Sequence, residues 1–456
     1  DILKIDVQKL GVCSNFFELG GNSLLVVKML TLVSNNLGLD LSLSQFIAMP
    51  TIATLSAQIE FGTPASQSIV LLWEQLKKDV VLDADLRPLQ EINSCILSPK
   101  SILLTGASGF VGAHILDELI HKTTATVYCL VRASTVEDAL RILVEKLKKY
   151  NLSSYQHISR IVPVLGDLGQ AKLGLSNHDY DQLAKEVDAL FHVGAWVHHV
   201  YDYNTLCKTN VQSVKELLKM AVDSKNKAFH FVSTLATTLI SPIESLPSVD
   251  YASIKAYLNL NGYLTTKWVA EQLIKEASSR GIMAHVYRPG NVVSGCHGVY
   301  EAESNHTLLR LKGMLQLEKG LATSQEMVEM MPVDLLAKAI VVIAKNPLQF
   351  SYNLNNSHSI SWFDYLQIAK NKGYRFDFIH DEEEWEQIIS NLNEQNALYK
   401  LSHIYKIRSS ASELHEESPS IIPDYIIETP SYVAMIEQQL TSLIAGGFLE
   451  KPRLYQ

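Results

Sequence analysis

The chain has 456 residues, 47% hydrophobic and 19% charged, an ordinary balance for a soluble globular protein and a length that points to roughly two to four domains. Its formal net charge of -9 argues against general binding of nucleic acid or of anionic membranes, while leaving room for a local basic pocket. No apolar run reaches the ~18 residues of a membrane span, and the five scattered cysteines, without a C-x-x-C pair, read as reduced thiols of a cytoplasmic protein.

The opening stretch DILKIDVQKLGV is loop-like, has no initiator Met and reads as part of a longer polypeptide. Residues 1–62 predict a small helical unit. Helical apolar spacing (Leu24, Val27, Leu30, Leu32) follows the breaker Gly20-Gly21, and Pro50-Thr51 opens a second helix through Ile52, Leu55 and Ile59. Ser23, just after two glycines at a helix start, is exposed in this reading. It is either a plain N-cap or a site suited to a modifying enzyme and a phosphate. Residues 63–98 read as a linker and a helical lead-in, amphipathic over 69–79 and looped over Leu82–Pro88.

From residue 99 the pattern changes. SILLTG is a short buried strand, FVGAHILDELIHK a helix, ATVYCLVRA a second strand, and Val136–Tyr150 a long helix. ISRIVPVLGD, VDALFHVGA, KAFHFVST and MAHVYRPG are further strands separated by helical segments. Strands alternating with helices mean βαβ units, so residues 99–295 predict an α/β, doubly wound parallel sheet of the Rossmann kind. Residues 296–456 read as a mostly helical subdomain for substrate, with strand-like pieces such as FSYNLNN able to join the sheet.

The first strand runs into Thr105-Gly106-Ala107-Ser108-Gly109-Phe110-Val111-Gly112, with glycines spaced G-x-x-G-x-x-G. Gly106 suits the tight turn, Gly109 the close approach of a pyrophosphate and Gly112 the packing of helix on sheet. The helix start offers free N–H groups to the anion. The strand before and the helix after give this glycine triplet its weight. Arg132, where an acidic residue would accept the ribose of NAD, favours the 2′-phosphate of NADPH, and Arg141 is placed to close over the same phosphate. Asp167 and Leu168 follow the third strand, where Asp167 suits the adenine amino group. Gly194 and Ala195 follow the fourth, where small residues admit the cofactor. Pro289, Gly290 and Asn291 follow the sixth and should border the nicotinamide.

Tyr263 and Lys267 are four apart and share one helix face after the fifth strand. A neighbouring ammonium is expected to stabilise the phenolate and lower the phenol pKa. The fifth strand ends in Ser233-Thr234, and Thr234 is favoured as the hydroxyl that meets a substrate carbonyl. His198 and His199 are adjacent on an extended segment and point to opposite faces, so no metal site is expected.

Residues from about 100 to 450 resemble the extended short-chain dehydrogenase/reductases. Within them they are most similar to the thioester reductase domains of nonribosomal peptide synthetases, carboxylic acid reductases and aminoadipate reductases. TGASGFVGAHIL, CLVRA, ALFHVGAWV, GYLTTKWVAEQLI and YRPGNVVSG carry that resemblance. It implies a catalytic triad at Thr234, Tyr263 and Lys267, with Lys267 also on the nicotinamide ribose and Asn210 organising a proton-relay water. Upstream, FFELGGNSL resembles the carrier (thiolation) motif. That implies a 4′-phosphopantetheine arm on Ser23, attached by a phosphopantetheinyl transferase, and adenylation or condensation domains earlier in the same polypeptide. The implied activity is NADPH-dependent reductive release of a tethered acyl or peptidyl thioester as an aldehyde, or as an alcohol after a second reduction. The stretch SGCHGVYEAESNH departs from the family's usual S-x-T-G-x-x-N pattern beside the substrate. Rival readings are a dehydrogenase or epimerase acting on a free carbonyl or nucleotide sugar, a redox-inactive cyclising release domain, and a carrier scaffold without chemistry.

Overall fold

A computed structural model describes residues 2–3, 5, 10–19, 23–37, 46, 50–61, 65–90, 96–198, 201–239, 262–295, 305–321, 327–356, 359–393, 395–401 and 431–452. Gly20, Gly21, Cys95, His199 and Cys296 lie outside them. In the first unit, helix α1 (Ser23–Leu37) and helix α2 (Ile52–Phe61) carry the two expected helical patterns. Phe16, Val26, Leu30 and Phe46 are buried together, with Leu55 and Ile59 packed against them. The Phe16 N–H donates to the Pro50 carbonyl at 2.7 Å, which ties the loop before α1 to the start of α2.

Helix α3 (Ala65–Asp79) belongs to the larger body. Trp73 and Leu76 on α3, with Leu82 and Leu86 beyond it, are buried in one cluster with Leu217 and Leu273 of the sheet layer. The Tyr203 hydroxyl donates to Asp79 at 2.7 Å, and the Arg280 guanidinium donates to the carbonyls of Leu82, Asp83 and Leu86. The lead-in is therefore stitched to the sheet body by side-chain burial and by satisfied backbone acceptors.

The central sheet has strands β1 (Ser101–Thr105), β2 (Thr126–Val131), β3 (Ile161–Leu165), β4 (Ala189–His192), β5 (Ala228–Val232), β6 (Ala284–Pro289) and β7 (Ser351–Leu354). Their order is β7-β6-β5-β4-β1-β2-β3, and every neighbouring pair is parallel. Strands covered on both faces read as near-continuous apolar runs, as β5 does: all five of its residues are buried and only His230 among them is polar. Helices α4 (Phe110–Lys122) and α5 (Val136–Lys149) cover one face. Helix α6 (Asn177–Glu186), helix α7 (Tyr203–Cys207), which continues through a π-helical turn at Lys208–Gln212 into α8 (Ser213–Val222), and helix α9 (Gly262–Ser279) cover the other. The strand order reverses between β1 and β4, which opens a crevice at their C-terminal ends, where doubly wound sheets take their ligands.

Residues beyond 295 do not form a separate block. Helix α10 (His306–Leu317), helix α12 (Trp362–Asn371) and helix α14 (Tyr432–Ala445) build a third core from Leu308, Leu311, Tyr365, Leu366, Ile436 and Leu440. Helix α11 (Val333–Ala344) and β7 instead return to the sheet: Leu336, Ile340, Tyr352 and Leu354 share a core with Ile115 and Leu116 of α4. FSYNLNN, the strand-like piece expected to be able to join the sheet, does so as the seventh strand, with Tyr352 and Leu354 buried at strand spacing. Helix α13 (Glu382–Ser390) closes the subdomain. Among the described residues no helix is long and apolar enough to cross a membrane.

Candidate active site

The turn after β1 is built for an anion. Gly106 has φ +77°, and a Cβ there would lie 2.5 Å from the Gly194 backbone nitrogen, so only glycine fits between the tips of β1 and β4. Gly112 lies against the Gly106 carbonyl, and Ser108 sits half-buried within the turn. Gly109 caps α4 with no side-chain acceptor, which leaves the first-turn N–H groups of Phe110, Val111 and Gly112 without a side-chain cap. Gly109, Phe110 and Asn291 line one cleft of about 390 Å³ together with Lys146, Tyr150 and His306. A pyrophosphate at the helix start fits this cradle.

The Thr105 hydroxyl ties the two strand tips together. It accepts from the Gly194 N–H at 3.1 Å and lies 2.7 Å from His192 Nδ1. Ser213 spends its one proton on the Thr209 carbonyl at 2.6 Å, so it accepts from His192 Nε2 at 3.3 Å, and Nδ1 of the neutral ring accepts from the Thr105 hydroxyl. Burial pushes His192 down to about 3, with Lys267 adding to the shift, so the ring is neutral.

Where the adenosine end of a dinucleotide is expected, Arg132 is exposed just past β2. The Arg141 guanidinium is engaged on its own helix, by Asp138 at 2.9 Å and Glu145 at 3.4 Å. Asp167 Oδ1 accepts the Gly169 N–H at 2.8 Å, and the Asp167 N–H donates to Leu173 O at 2.7 Å. Lys172, Leu173 and Gly174 all have positive φ, so this loop is held in a strained conformation beside β3. Leu168 reaches the Gly194 position from the same loop, and Ala195 follows it half-buried.

At the other end the tips of β4, β5 and β6 converge with α9. Lys267 is 2% exposed. Its ammonium donates to the Val232 carbonyl at 2.8 Å and lies 4.5 Å from the Phe231 ring centroid. Burial pushes it down to about 7, against a raising contribution from Glu271. Tyr263 opens the same helix. Burial pushes its phenol up, opposite to the lowering expected from a neighbouring ammonium. The phenol is therefore held as the neutral acid, a proton donor. Asn210, in the π-helical turn, accepts the Trp196 N–H at 2.7 Å and donates to Trp196 O and Thr266 Oγ1. Both amide protons are used, and one lone pair on Oδ1 remains for the water implied by the resemblance. Thr234 follows β5 half-buried, and beside it the buried Ser233 hydroxyl has no hydrogen-bond partner among the described residues. An unsatisfied hydroxyl at this tip fits a ligand bound across it.

Sequence reasoning missed the groups that hold this corner. Glu271, one turn beyond Lys267, pairs with Arg288 through bonds of 2.6 to 3.1 Å and accepts from Thr237 at 2.7 Å. The Thr237 N–H donates to the Thr234 carbonyl at 3.2 Å, so the ion pair, by holding Thr237, fixes the turn that carries Thr234. The i,i+4 spacing from Lys267 to Glu271 was the available signal. Glu329, beside Gly290 and Asn291, lay in an irregular stretch without any signal. Among the described residues no cluster could hold a metal.

Residues 104–340 match the family described as male sterility protein, an NAD-binding family, and residues 1–59 match the phosphopantetheine attachment site family. A linear gramicidin synthase polypeptide of Brevibacillus parabrevis is 34% identical over 83% of this chain and 8% of its own length. L-2-aminoadipate reductase of Saccharomyces cerevisiae is 31% identical over 86% of this chain and 31% of its own length. The chain thus spans about a third or less of these curated relatives. The terminal R domain of a myxalamid PKS-NRPS pathway superposes with a TM-score of 0.70 at 28% identity, over 83% of this chain and 99% of that one. An archaeal thiolation-reductase di-domain shows the same fold at a TM-score of 0.70, over 98% of this chain and 96% of that one. Glycine turn, parallel sheet and sequence likeness agree: the chain belongs to the male sterility protein family, an NAD-binding family, and carries a phosphopantetheine attachment domain over residues 1–59.

Proposed function

We propose that the chain reduces an acyl or peptidyl thioester carried on a 4′-phosphopantetheine arm at Ser23, using NADPH, and so releases an aldehyde. The carrying observation is the pairing, in one chain, of a phosphopantetheine attachment domain with a dinucleotide turn and a helix face that carries a half-buried Tyr263 and a buried Lys267. Ser23 opens α1, where an attached phosphate meets the positive end of the helix. Bound at the turn, NADPH supplies a hydride. Thr234 and Tyr263 donate hydrogen bonds to the thioester oxygen as negative charge develops there. Tyr263 gives that oxygen its proton, and Lys267, anchored on Val232, fixes the helix face and meets the ribose. The thiohemiacetal then breaks its carbon–sulfur bond: the carbon leaves as aldehyde and the sulfur takes a proton as the free thiol of the arm. Tethering raises the local substrate concentration to roughly millimolar, so the pocket need not bind the acyl group tightly. Arg132, exposed past β2, supports NADPH over NADH. A phosphopantetheinyl transferase to install the arm and upstream synthetase domains to load it are the partners this chemistry needs.

The test loads the holo-chain with an acyl group and adds NADPH. Nicotinamide absorbance should fall in step with release of a product whose mass is that of the aldehyde or alcohol. Release of the free acid or a cyclised product without NADPH consumption would contradict the proposal.

A further inference from the structure

Three segments distant in sequence meet at Glu329. The Asn291 N–H, just past β6, donates to one carboxylate oxygen at 2.5 Å. The Asn356 N–H, just past β7, donates to the other at 2.9 Å. The side chains of the same two asparagines close on the backbone of this segment: Asn291 Nδ2 donates to the Glu329 carbonyl at 3.0 Å and Asn356 Nδ2 to the Met330 carbonyl at 3.3 Å. Asn291 Nδ2 also reaches Thr307 at 3.0 Å, which joins α10 to the same knot. A Cβ on Gly290 would collide with the Glu329 carboxylate, so the backbone at 290 runs directly over the acid. One carboxylate thus ties the tips of β6 and β7 to the segment that enters α11.

We propose that Glu329 is a positioning residue for the nicotinamide half of the cofactor: as a carboxylate it locks Gly290-Asn291 in place at the end of β6. This rests on the reading that the chain binds NADPH. The atoms explain why charge matters. An ionised carboxylate accepts on both oxygens and satisfies both N–H groups, whereas a protonated one turns a donor toward one of them and leaves that N–H unpaired. Burial holds Glu329 up at about 7 in spite of the two donors. Among the described residues, α14 turns the Tyr432 phenol toward this acid, itself pushed up by burial and by Glu329. The tips of β6 and β7 and the start of α10 contribute neutral amides and a hydroxyl. Two trends then oppose each other as pH falls from about 7 toward 4.5. The folded chain binds the proton more readily than the unfolded chain, which favours the fold, while the lock on Asn291 is lost.

The experiment measures dissociation constants of NADPH and of 2′,5′-ADP, which lacks the nicotinamide half, for the full chain and for Glu329→Gln across the range of about pH 6 to 8. The variant should bind NADPH about fivefold more weakly at the upper end, bind 2′,5′-ADP as the wild type does, and converge with the wild type on NADPH at the lower end. Equal weakening of both ligands, unchanged NADPH affinity, or a difference that ignores pH would overturn the proposal. Where thermal melting shows Glu329→Gln to be unfolded, Asn356→Ala takes its place. It keeps the backbone N–H and must show a smaller loss with the same selectivity for NADPH; no loss, or loss of both ligands, overturns the proposal. A wild-type chain that binds neither nucleotide would overturn the cofactor reading itself, and the role of Glu329 with it.

Discussion

The unit over residues 1–61 and the sheet edge around Tyr263 hold their candidate functional residues by different means. The first rests on a few apolar side chains, Phe16, Val26, Leu30 and Phe46, and its Ser23 stands at the end of a helix. The second surrounds Thr234, Tyr263 and Lys267 with buried polar groups that each satisfy several partners: His192, Asn210 and Glu271. An attachment point needs only to be reachable by an enzyme and by the reductase, so a small apolar core suffices. Hydride and proton transfer need atoms fixed to a fraction of an ångström, and buried hydrogen-bonded networks supply that at the cost of desolvation.

Substitutions can separate these two designs. Ser23→Ala should abolish release of a tethered acyl group and the mass gained on phosphopantetheinylation. Reduction of a free acyl-pantetheine supplied at roughly millimolar concentration should persist, because the reductase half is untouched. Loss of both activities would show that the two regions are not separable in this way. Glu271→Gln should cost about 3 kcal/mol in denaturant unfolding, since it leaves the Arg288 guanidinium beside a neutral amide. It should also lower turnover through the Thr234 turn; a shift below about 0.5 kcal/mol would remove Glu271 from that role. Arg132→Ala should weaken NADPH binding by about 1.5–3 kcal/mol and leave NADH unchanged. Arg141→Ala, already paired with Asp138 and Glu145 on an exposed face, should stay within about 0.5 kcal/mol for either cofactor. An equal loss from both arginines would bring Arg141 into the phosphate site.

Sequence pattern exposed much of the sheet body and little of what braces it. The glycine turn, six of the strands and the Tyr263–Lys267 face were visible because each follows from local periodicity or from a turn that only glycine allows. Strand β7 was only half visible. Its alternation of Tyr352 and Leu354 is clear, but its place beside β6 comes from a long return through α10 and α11. The direction of the Tyr263 shift was not visible either. Spacing puts a lysine on the same helix face but does not show its ammonium turned to the Val232 carbonyl. Glu329 is the extreme case: its partners lie at residues 291 and 356, and no periodicity links the three. Contacts of this kind follow from the closed fold, so sequence spacing does not carry them.

The central claim is direct hydride delivery to a tethered thioester with Tyr263 as the proton donor. The most direct measurement uses NADPH deuterated at the nicotinamide carbon that donates hydride, with acyl-loaded wild type and Tyr263→Phe compared under single turnover. The wild type should release aldehyde carrying one deuteron per NADPH consumed, and Tyr263→Phe should be slower by about a hundredfold or more while binding NADPH normally. Aldehyde without deuterium, or full-rate release by Tyr263→Phe, would contradict the account.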